Sequence, residues 1–154
     1  MFNNNRRAFK AQLVKEITAH VRRAQRKGLK PAVRLNGTSD LLWERIFPDI
    51  FTMFSGVQFY DYTKYPERYR RELPDNYHLT FSLSERDDSE SEALAWLQAG
   101  GNVAIVFDTK RGEALPESWN GYRVIDGDQH DMRFINPVGT VAGLRAKGKA
   151  RNDT

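Results

Sequence analysis

The chain has 154 residues, of which 40% are hydrophobic and 29% charged. This length and composition predict one globular domain over residues 1–154. Its ends, at residues 1–6 and 148–154, are expected to be frayed. It contains no cysteine, which excludes disulfides, thiolate zinc sites and an iron–sulfur cluster held by these residues. No apolar run approaches the roughly 20 residues of a membrane span and no secretory signal is evident, so we expect a cytoplasmic protein without a membrane partner.

The charge is unevenly distributed. The formal net charge is +4, yet the first thirty residues hold nine Lys or Arg against Glu16 alone. Within them, Phe9, Leu13 and Ile17 recur every four residues, which predicts an amphipathic helix over Arg7–Lys27 with Gly28 at its C-terminal cap. The opposite, basic face is either simply solvated or faces phosphate groups.

After this helix, short apolar runs alternate with short helical patterns. The predicted strands are Ala32–Leu35, Val57–Asp61, Tyr77–Leu83, Asn102–Phe107 and Tyr122–Ile125, and the predicted helices are Leu41–Ile46, Ile50–Phe54, Glu67–Leu73 and Ala93–Ala99. Thr38, Ser39 or Asp40 is expected to cap the first of these helices, and Asp49 the second. Met132–Ile135 and Thr140–Arg145 are expected to form a C-terminal hairpin.

Strands that alternate with helices predict an α/β fold with a mostly parallel sheet. There are too few units for an eight-stranded barrel, so we expect an open curved sheet, or half-barrel of βα units. A doubly wound sheet is the alternative, although the first strand is not followed by the G-x-G-x-x-G pattern of dinucleotide-binding folds.

Polar clusters follow the predicted strands, and parallel α/β folds bind ligands at the carboxyl ends of their strands. The predicted ligand-binding residues are Asn36, Ser39, Asp40, Asp61, Tyr62, Lys64, Ser82, Ser84, Glu85, Asp108, Lys110 and Lys147. The same residue types also cap helices and form turns in proteins of any function. If they do form a site, its cations favour a phosphate-bearing ligand, either nucleic acid or nucleotide.

Asp61 and Lys64 are the most specific part of this rim, because a helix cap needs neither the lysine nor the adjacent Tyr62. Strand alternation places Phe59 and Asp61 on one face and Tyr60 on the other, so Asp61 is expected where the sheet meets solvent. A nearby set of tyrosines and arginines at residues 60–71 suits either stacking on bases or a packed helix.

Asp126, Asp128 and His130 form a second cluster after the fifth strand. Carboxylates and imidazole are ligands for divalent cations, so these three residues are the predicted metal site. An Asp-Gly turn is the alternative explanation. His78 within a strand is expected to be structural, and His20 on the first helix to be exposed.

Several sequence blocks resemble one family encoded by phages, plasmids and prophages. These blocks are Pro31–Asp40, Val57–Lys64, Asn76–Ser82, Val124–Asp128 with Asp131–Phe134, and Gly143–Gly148. Longer members of that family are similar to a partial radical-SAM barrel and carry a cysteine cluster upstream of the region matching the first helix. The present chain begins where that cluster would end. The resemblance therefore implies the scaffold and rim of such a barrel without its iron–sulfur cluster.

Three functions remain open from the sequence. The first is a mobile-element protein that binds nucleic acid or nucleotide at the strand rim with help from the basic helix and tail. The second is an enzyme, or a degenerate radical-SAM-like relative of one, that uses a divalent cation. The third is a factor that binds a host protein.

Overall fold

The computed structural model describes residues 5–36, 40–70, 73–130 and 132–146. Within these residues there are four α-helices, which are α1 (Arg6–Arg26), α2 (Trp43–Ile46), α3 (Pro48–Met53) and α4 (Ser89–Gln98). The strands are β1 (Ala32–Arg34), β2 (Gln58–Thr63), β3 (Tyr77–Ser82), β4 (Asn102–Phe107), β5 (Ser118–Trp119), β6 (Tyr122–Asp126) and β7 (Val141–Arg145). Two 3-10 helices cover Pro66–Arg70 and Arg133–Ile135.

The strands form one seven-stranded sheet in the order β1-β2-β3-β4-β7-β6-β5. The pairs β1–β2, β3–β4, β4–β7 and β6–β7 are parallel, and β5 pairs antiparallel with β6. The predicted α/β class with a mostly parallel open sheet is confirmed, since the sheet is not closed into a barrel. β7 lies between β4 and β6, so the chain leaves sequence order in the second half of the sheet.

The predicted C-terminal hairpin was wrong. Arg133–Ile135 is a 3-10 helix, and β7 pairs in parallel with both of its neighbours. The antiparallel hairpin lies earlier, between β5 and β6, where Asn120 and Gly121 have φ values of 49° and 84°. Two consecutive residues with positive φ suit the tight turn that joins antiparallel strands.

The predicted helix caps at Asp40 and Asp49 were also wrong, and Thr38 and Ser39 lie outside the described residues. α2 begins after Leu42 and α3 after Phe47, and no side chain among the described residues caps either helix. Asp49 instead forms an ion pair with Lys10 of α1. Aromatic residues at these boundaries pack against α1, since the Phe9 ring lies 6.1 Å from that of Trp43 and 6.3 Å from that of Phe47.

Contacts divide the chain into two compact units. The first unit comprises Met1–Tyr60 and Leu73–His78, and the second comprises Asp61–Glu72 and Leu79–Thr154.

In the first unit, Phe51 of α3 packs against Phe59 and Tyr77, with ring centroids 5.0 and 4.8 Å apart. α1 ends at the predicted position, where Gly28 has a φ of 69° and Leu29 N–H donates to Ala24 O.

The side chain of Asn76 connects three backbone segments of the first unit. Its Nδ2 donates to the carbonyls of Phe51, Phe54 and Val57, at 3.0, 3.1 and 3.1 Å. These carbonyls belong to the end of α3 and the turn that follows, where a helix leaves acceptors without intrahelical partners. One amide group thus satisfies three carbonyls at the end of α3 and in the turn after it.

The second unit packs α4 on one face of its strands. Trp96 of α4 stacks on Phe81 of β3 with centroids 5.5 Å apart, and Val103 shares that face because it pairs in register with Phe81. Val103 and Val141 are fully buried, as expected for central strands of a parallel sheet.

Candidate functional site

Three consecutive parallel pairs give the second unit a polar carboxyl edge. Strands β3, β4, β7 and β6 run in the same direction, so their carboxyl ends lie at one edge of the sheet. Ser82, Phe107, Arg145 and Asp126 are the last residues of these four strands. In the second unit, the turns after β4, β6 and β7 therefore bring polar residues to this edge, which is where the sequence predicts them.

Arg145 is the centre of this edge, although the sequence did not indicate it as a site residue. Its Nη1 donates to Asp128 Oδ2 at 2.8 Å and to Asp126 Oδ2 at 3.1 Å. Its Nε and Nη2 both donate to Glu113 O, at 3.0 and 2.8 Å. Only 15% of the Arg145 side chain is exposed. The guanidinium thus joins the end of β7 to the loop after β6 and to the segment after β4.

The same contacts change the pKa values of Asp126 and Arg145. The pKa of Asp126 is lowered, first by the hydrogen bond from the backbone N–H of Asp128 (2.9 Å) and next by that from Arg145, against the opposing effect of burial. The two carboxylates raise the pKa of Arg145, with Asp128 contributing more than Asp126. Asp126 and Arg145 therefore both remain charged at neutral pH.

His130 and Arg133 form a second polar cluster in the loop after β6. Arg133 is 2% exposed and donates to the carbonyls of Gly127 (3.3 Å) and His130. His130 Nδ1 accepts from the backbone N–H of Met132 at 3.1 Å. This use of Nδ1 leaves Nε2 as the only ring nitrogen of His130 that could bind a metal.

The predicted metal ligands therefore already have protein partners. Asp126 and Asp128 hold Arg145, and among the described residues no group of three His, Asp or Glu side chains is arranged to hold a metal ion. Cation binding at Asp126, Asp128 and His130 stays a prediction, and it would compete with Arg145 for the same carboxylate oxygens.

Asp61 occupies a different environment from the one predicted. β2 continues past it to Thr63, and Asp61 is 2% exposed, so it lies inside the strand rather than at a solvent-facing end. The predicted alternation is confirmed, since Phe59, Asp61 and Thr63 are buried while Tyr60 and Tyr62 are half-buried. Lys64, the first residue after the strand, is exposed. Arg68 belongs to the set of tyrosines and arginines that suited either base stacking or a packed helix, and it is fully buried.

Asn36 is buried and its side chain stabilises a loop. Its Nδ2 donates to Leu41 O at 3.1 Å, and its Oδ1 accepts from Leu41 N at 3.2 Å and from Trp43 Nε1 at 2.8 Å. Asp40 is half-buried, and Ser39 lies outside the described residues. The contacts of Asn36 match the alternative in which this cluster shapes the backbone before a helix.

The remaining predicted rim residues belong to the second unit. Ser84 N–H donates to Ser89 Oγ at 2.9 Å and thereby closes the turn before α4. Ser82 is half-buried, whereas Glu85, Asp108 and Lys110 are exposed. Arg86 is engaged by Glu92 and by the carbonyl of Lys64. Lys147 is outside the part of the chain that the structure describes.

The basic face of α1 is the other candidate surface, and it lies entirely in the first unit. Two of its cations have structural roles, because Lys10 pairs with Asp49 and Arg6 donates to Ile46 O while lying over the Phe47 ring. His20 is half-buried and its Nε2 lies 3.0 Å from Ala32 O, so the expectation of an exposed His20 was wrong.

Lys15, Arg22 and Arg26 form the outward stripe of α1. Successive helix residues are rotated by about 100°, which places these three within about 40° of one another and opposite the buried Ile17. All three are exposed, and no ion pair between described residues involves them. The stripe presents positive charge to solvent along about 16 Å of helix.

The fold and these surfaces define an α/β protein with an open, mostly parallel sheet, a basic N-terminal helix and a polar strand edge. The chain belongs to the family described as Gene product 88, whose sequence profile matches residues 1–154. This is a phage-type family and indicates a protein of mobile-element origin. No curated protein and no solved structure matches the chain. In the described residues, no helix has the length and apolar character needed to cross a membrane.

Proposed function

We propose that this mobile-element protein binds nucleic acid through the outward stripe of α1, formed by Lys15, Arg22 and Arg26. The observation that carries the proposal is that three exposed cations share one helix face and pair with no acid among the described residues. Lys and Arg contacts to phosphates supply most of the sequence-independent affinity of proteins for nucleic acid.

The stripe is better supported than the strand edge as the source of phosphate contacts. Arg145 is enclosed by two carboxylates and a carbonyl, and Arg86 is engaged by Glu92. Lys110 is an exposed cation beside the edge, so the strand edge remains a second location that the experiment must distinguish.

The length of the stripe favours a polymer over a single nucleotide. Lys15 and Arg26 are separated by about 16 Å along the helix axis. Duplex DNA carries about ten phosphate charges over that length. A mononucleotide could engage one or two of the three cations, whereas a strand can engage all of them at once.

The test is the affinity of the protein for a labelled duplex and a labelled single strand, measured between about 50 and 300 mM salt. Contacts from three cations predict that log affinity for the duplex falls against log salt with a slope of about −2 to −3. The variant Lys15→Ala/Arg22→Ala/Arg26→Ala should lose most of this slope and bind weakly even at low salt. Alanine favours helix, so its far-ultraviolet circular dichroism should match that of the wild type.

The matched control is Lys110→Ala/Arg111→Ala/Arg123→Ala, which removes three exposed cations of the second unit. It should keep the wild-type affinity and salt slope. Loss of binding in this control with retention in the helix variant would move the phosphate contacts to the second unit. Absence of binding by the wild type at the lowest salt would refute the proposed function.

Enzymatic activity remains a separate prediction from the sequence, as does the likeness to a radical-SAM barrel. Calorimetric titration with Mg²⁺ and Mn²⁺ tests the cation part of it. Cation binding that is present in the wild type and lost in Asp128→Asn would support a metal site at Asp126, Asp128 and His130. The absence of binding heat in the wild type at millimolar cation would count against such a site.

A further inference from the structure

A groove lies between α1 and β1 in the first unit. Its volume is about 350 Å³, and its walls are Leu13, Glu16, Ile17 and His20 from the helix and residues 32–35 from the strand. This volume is near the lower end of the range of small-ligand pockets and is sufficient for one or two side chains. Leu13 and Ile17 give the groove an apolar floor.

One wall of the groove is the outer side of strand β1. β1 is the outermost strand, and its neighbour β2 pairs with it in parallel. Gln58 N–H donates to Pro31 O at 3.1 Å, which directs the backbone groups of residues 31 and 33 towards β2. The backbone N–H and C=O of Ala32 therefore point away from β2, to the open side.

The two open groups of Ala32 differ in their partners. Ala32 O accepts from His20 Nε2 at 3.0 Å, and because a carbonyl only accepts, Nε2 must carry the ring proton. The N–H of Ala32 has no hydrogen-bond partner among the described residues. An edge strand with an available donor is a template for pairing with another extended chain.

The charge around the groove indicates the chemistry of that chain. Arg23 and Lys27 follow Glu16 and His20 along the same flank of α1, at seven-residue spacing, and Lys30 immediately precedes β1. Among the described residues that line the groove, Glu16 is the only acid. The surroundings are thus net positive and complement an acidic segment.

We propose that this groove binds an extended segment of a partner protein, which adds as a strand to β1. An aliphatic side chain of the segment occupies the floor formed by Leu13 and Ile17, and flanking Asp or Glu residues face Arg23 and Lys27. This surface is separate from the outward stripe of α1, so it goes beyond nucleic-acid binding and does not depend on it.

The test begins with selection from a random, displayed dodecapeptide library against the intact, nuclease-treated protein. The selected peptides should share a β-branched or aliphatic residue next to acidic residues, and their affinities are then measured by fluorescence anisotropy. Ala32→Pro removes the open N–H without removing a β1–β2 hydrogen bond, and proline is tolerated on edge strands. It should weaken binding about tenfold, whereas the matched control Ala32→Ser should bind as the wild type does.

A second variant tests the charge. Glu16→Lys should tighten peptide binding severalfold, because it removes the one acid of the groove. In the wild type, bound peptide should also slow hydrogen exchange at the Ala32 amide, a readout that needs no variant and so remains decisive if Ala32→Pro fails to fold.

Three outcomes would overturn the proposal. They are a library that yields no binder, selected peptides that are basic, or unchanged exchange at the Ala32 amide with saturating peptide. A protein that dimerises until Ala32→Pro is introduced would show that a second copy occupies the edge instead.

Discussion

Gly127 lies against the buried guanidinium of Arg133 and cannot accept a larger residue without local movement. A Cβ at this position would lie 2.7 Å from Arg133 Nη1, 2.9 Å from Leu144 Cδ2 and 3.2 Å from Gly143 O. Gly127→Ala should therefore reduce the free energy of unfolding by about 1–3 kcal/mol, as overpacking does elsewhere. Chemical denaturation measures this loss.

Gly56 provides the control for that measurement. No atom of the described residues lies within 4 Å of a Cβ built there, and Gly56 is exposed. Gly56→Ala should change stability far less. Equal effects of the two substitutions would mean that the close approach of Arg133 to Gly127 does not constrain the fold.

Asp126 links stability to pH through its lowered pKa. Its carboxylate accepts from the Asp128 N–H and from Arg145 only in the folded chain, so the unfolded chain binds a proton more readily. The stabilisation is complete above the ordinary pKa of 3.8 and disappears as pH falls through the lower folded value. Because 38% of the side chain is exposed, the contribution should be at most about 1 kcal/mol.

Comparison of the wild type with Asp126→Asn over pH measures this contribution. The difference in unfolding free energy should be constant from about pH 5 to 8 and shrink below the ordinary pKa of an aspartate. A difference that grows as the pH falls would reverse the sign and contradict the assigned hydrogen bonds.

The polar side chains also show what the sequence could not specify. Asn36 and Asp61 were correctly located beside or within strands, but their residue types suit solvent-facing turns and buried positions equally well. Burial depends on which segments cover them, and that information is tertiary. Arg145 gives no local signal of its partners, because its acceptors are a backbone carbonyl and two acids 17 to 32 residues away, whereas Arg133 donates to carbonyls only three and six residues away.

At the scale of the element, α3 depends on a residue outside it. Asn76 Nδ2 supplies the donor for three carbonyls at the end of this helix and the turn beyond. Asn76→Asp keeps the shape but replaces the donor with a carboxylate, so it should cost about 2–3 kcal/mol at neutral pH. Asn76→Ala, which removes the donor without adding charge, should cost less.

The pH dependence separates these two variants. Three facing carbonyls should raise the pKa of the introduced carboxyl in the folded state, so protonation restores a donor. The deficit of Asn76→Asp should therefore shrink as pH falls through that raised pKa, while that of Asn76→Ala stays constant. Parallel deficits in the two variants would show that the three hydrogen bonds contribute little.

The elements with a strong period were predictable. α1, β4 and the alternation within β2 follow directly from the spacing of apolar residues. The 3-10 helix at Arg133–Ile135 was not, because a three-residue segment has too few positions to distinguish alternation from a turn. β5 was not predictable for the same reason, because it has only two residues and its pairing depends on the turn at Asn120 and Gly121.

The order of the strands in the sheet was the least predictable feature of the fold. Periodicity identifies strands and their buried faces but contains no information on which strands are neighbours. The insertion of β7 between β4 and β6 gathers Arg145, Asp126 and Asp128 at one edge, although Arg145 lies 17 residues beyond Asp128 in sequence. The order of the strands thus places Arg145 at the centre of the predicted edge.

Charge is also segregated along the chain, and this determines how nucleic-acid binding should respond to mutation. The first thirty residues contain nine cations and one acid, so residues 31–154 are net negative although the protein is +4 overall. If overall charge governed affinity, any restoration of net charge would restore binding. If the outward stripe of α1 governs affinity, only the restoration of cations on that helix would restore binding.

A variant with restored net charge separates these two possibilities. Lys15→Ala/Arg22→Ala/Arg26→Ala removes three positive charges. Adding Asp87→Asn, Glu113→Gln and Glu117→Gln removes three exposed acids of the second unit and returns the net charge to its original +4. Affinity for the duplex at about 0.1 M salt should stay as weak as in the triple variant, because phosphates contact cations within a few ångströms and salt at this concentration screens charges beyond about 10 Å. Recovery of wild-type affinity in the six-residue variant would show that net charge, rather than the helix, retains the nucleic acid.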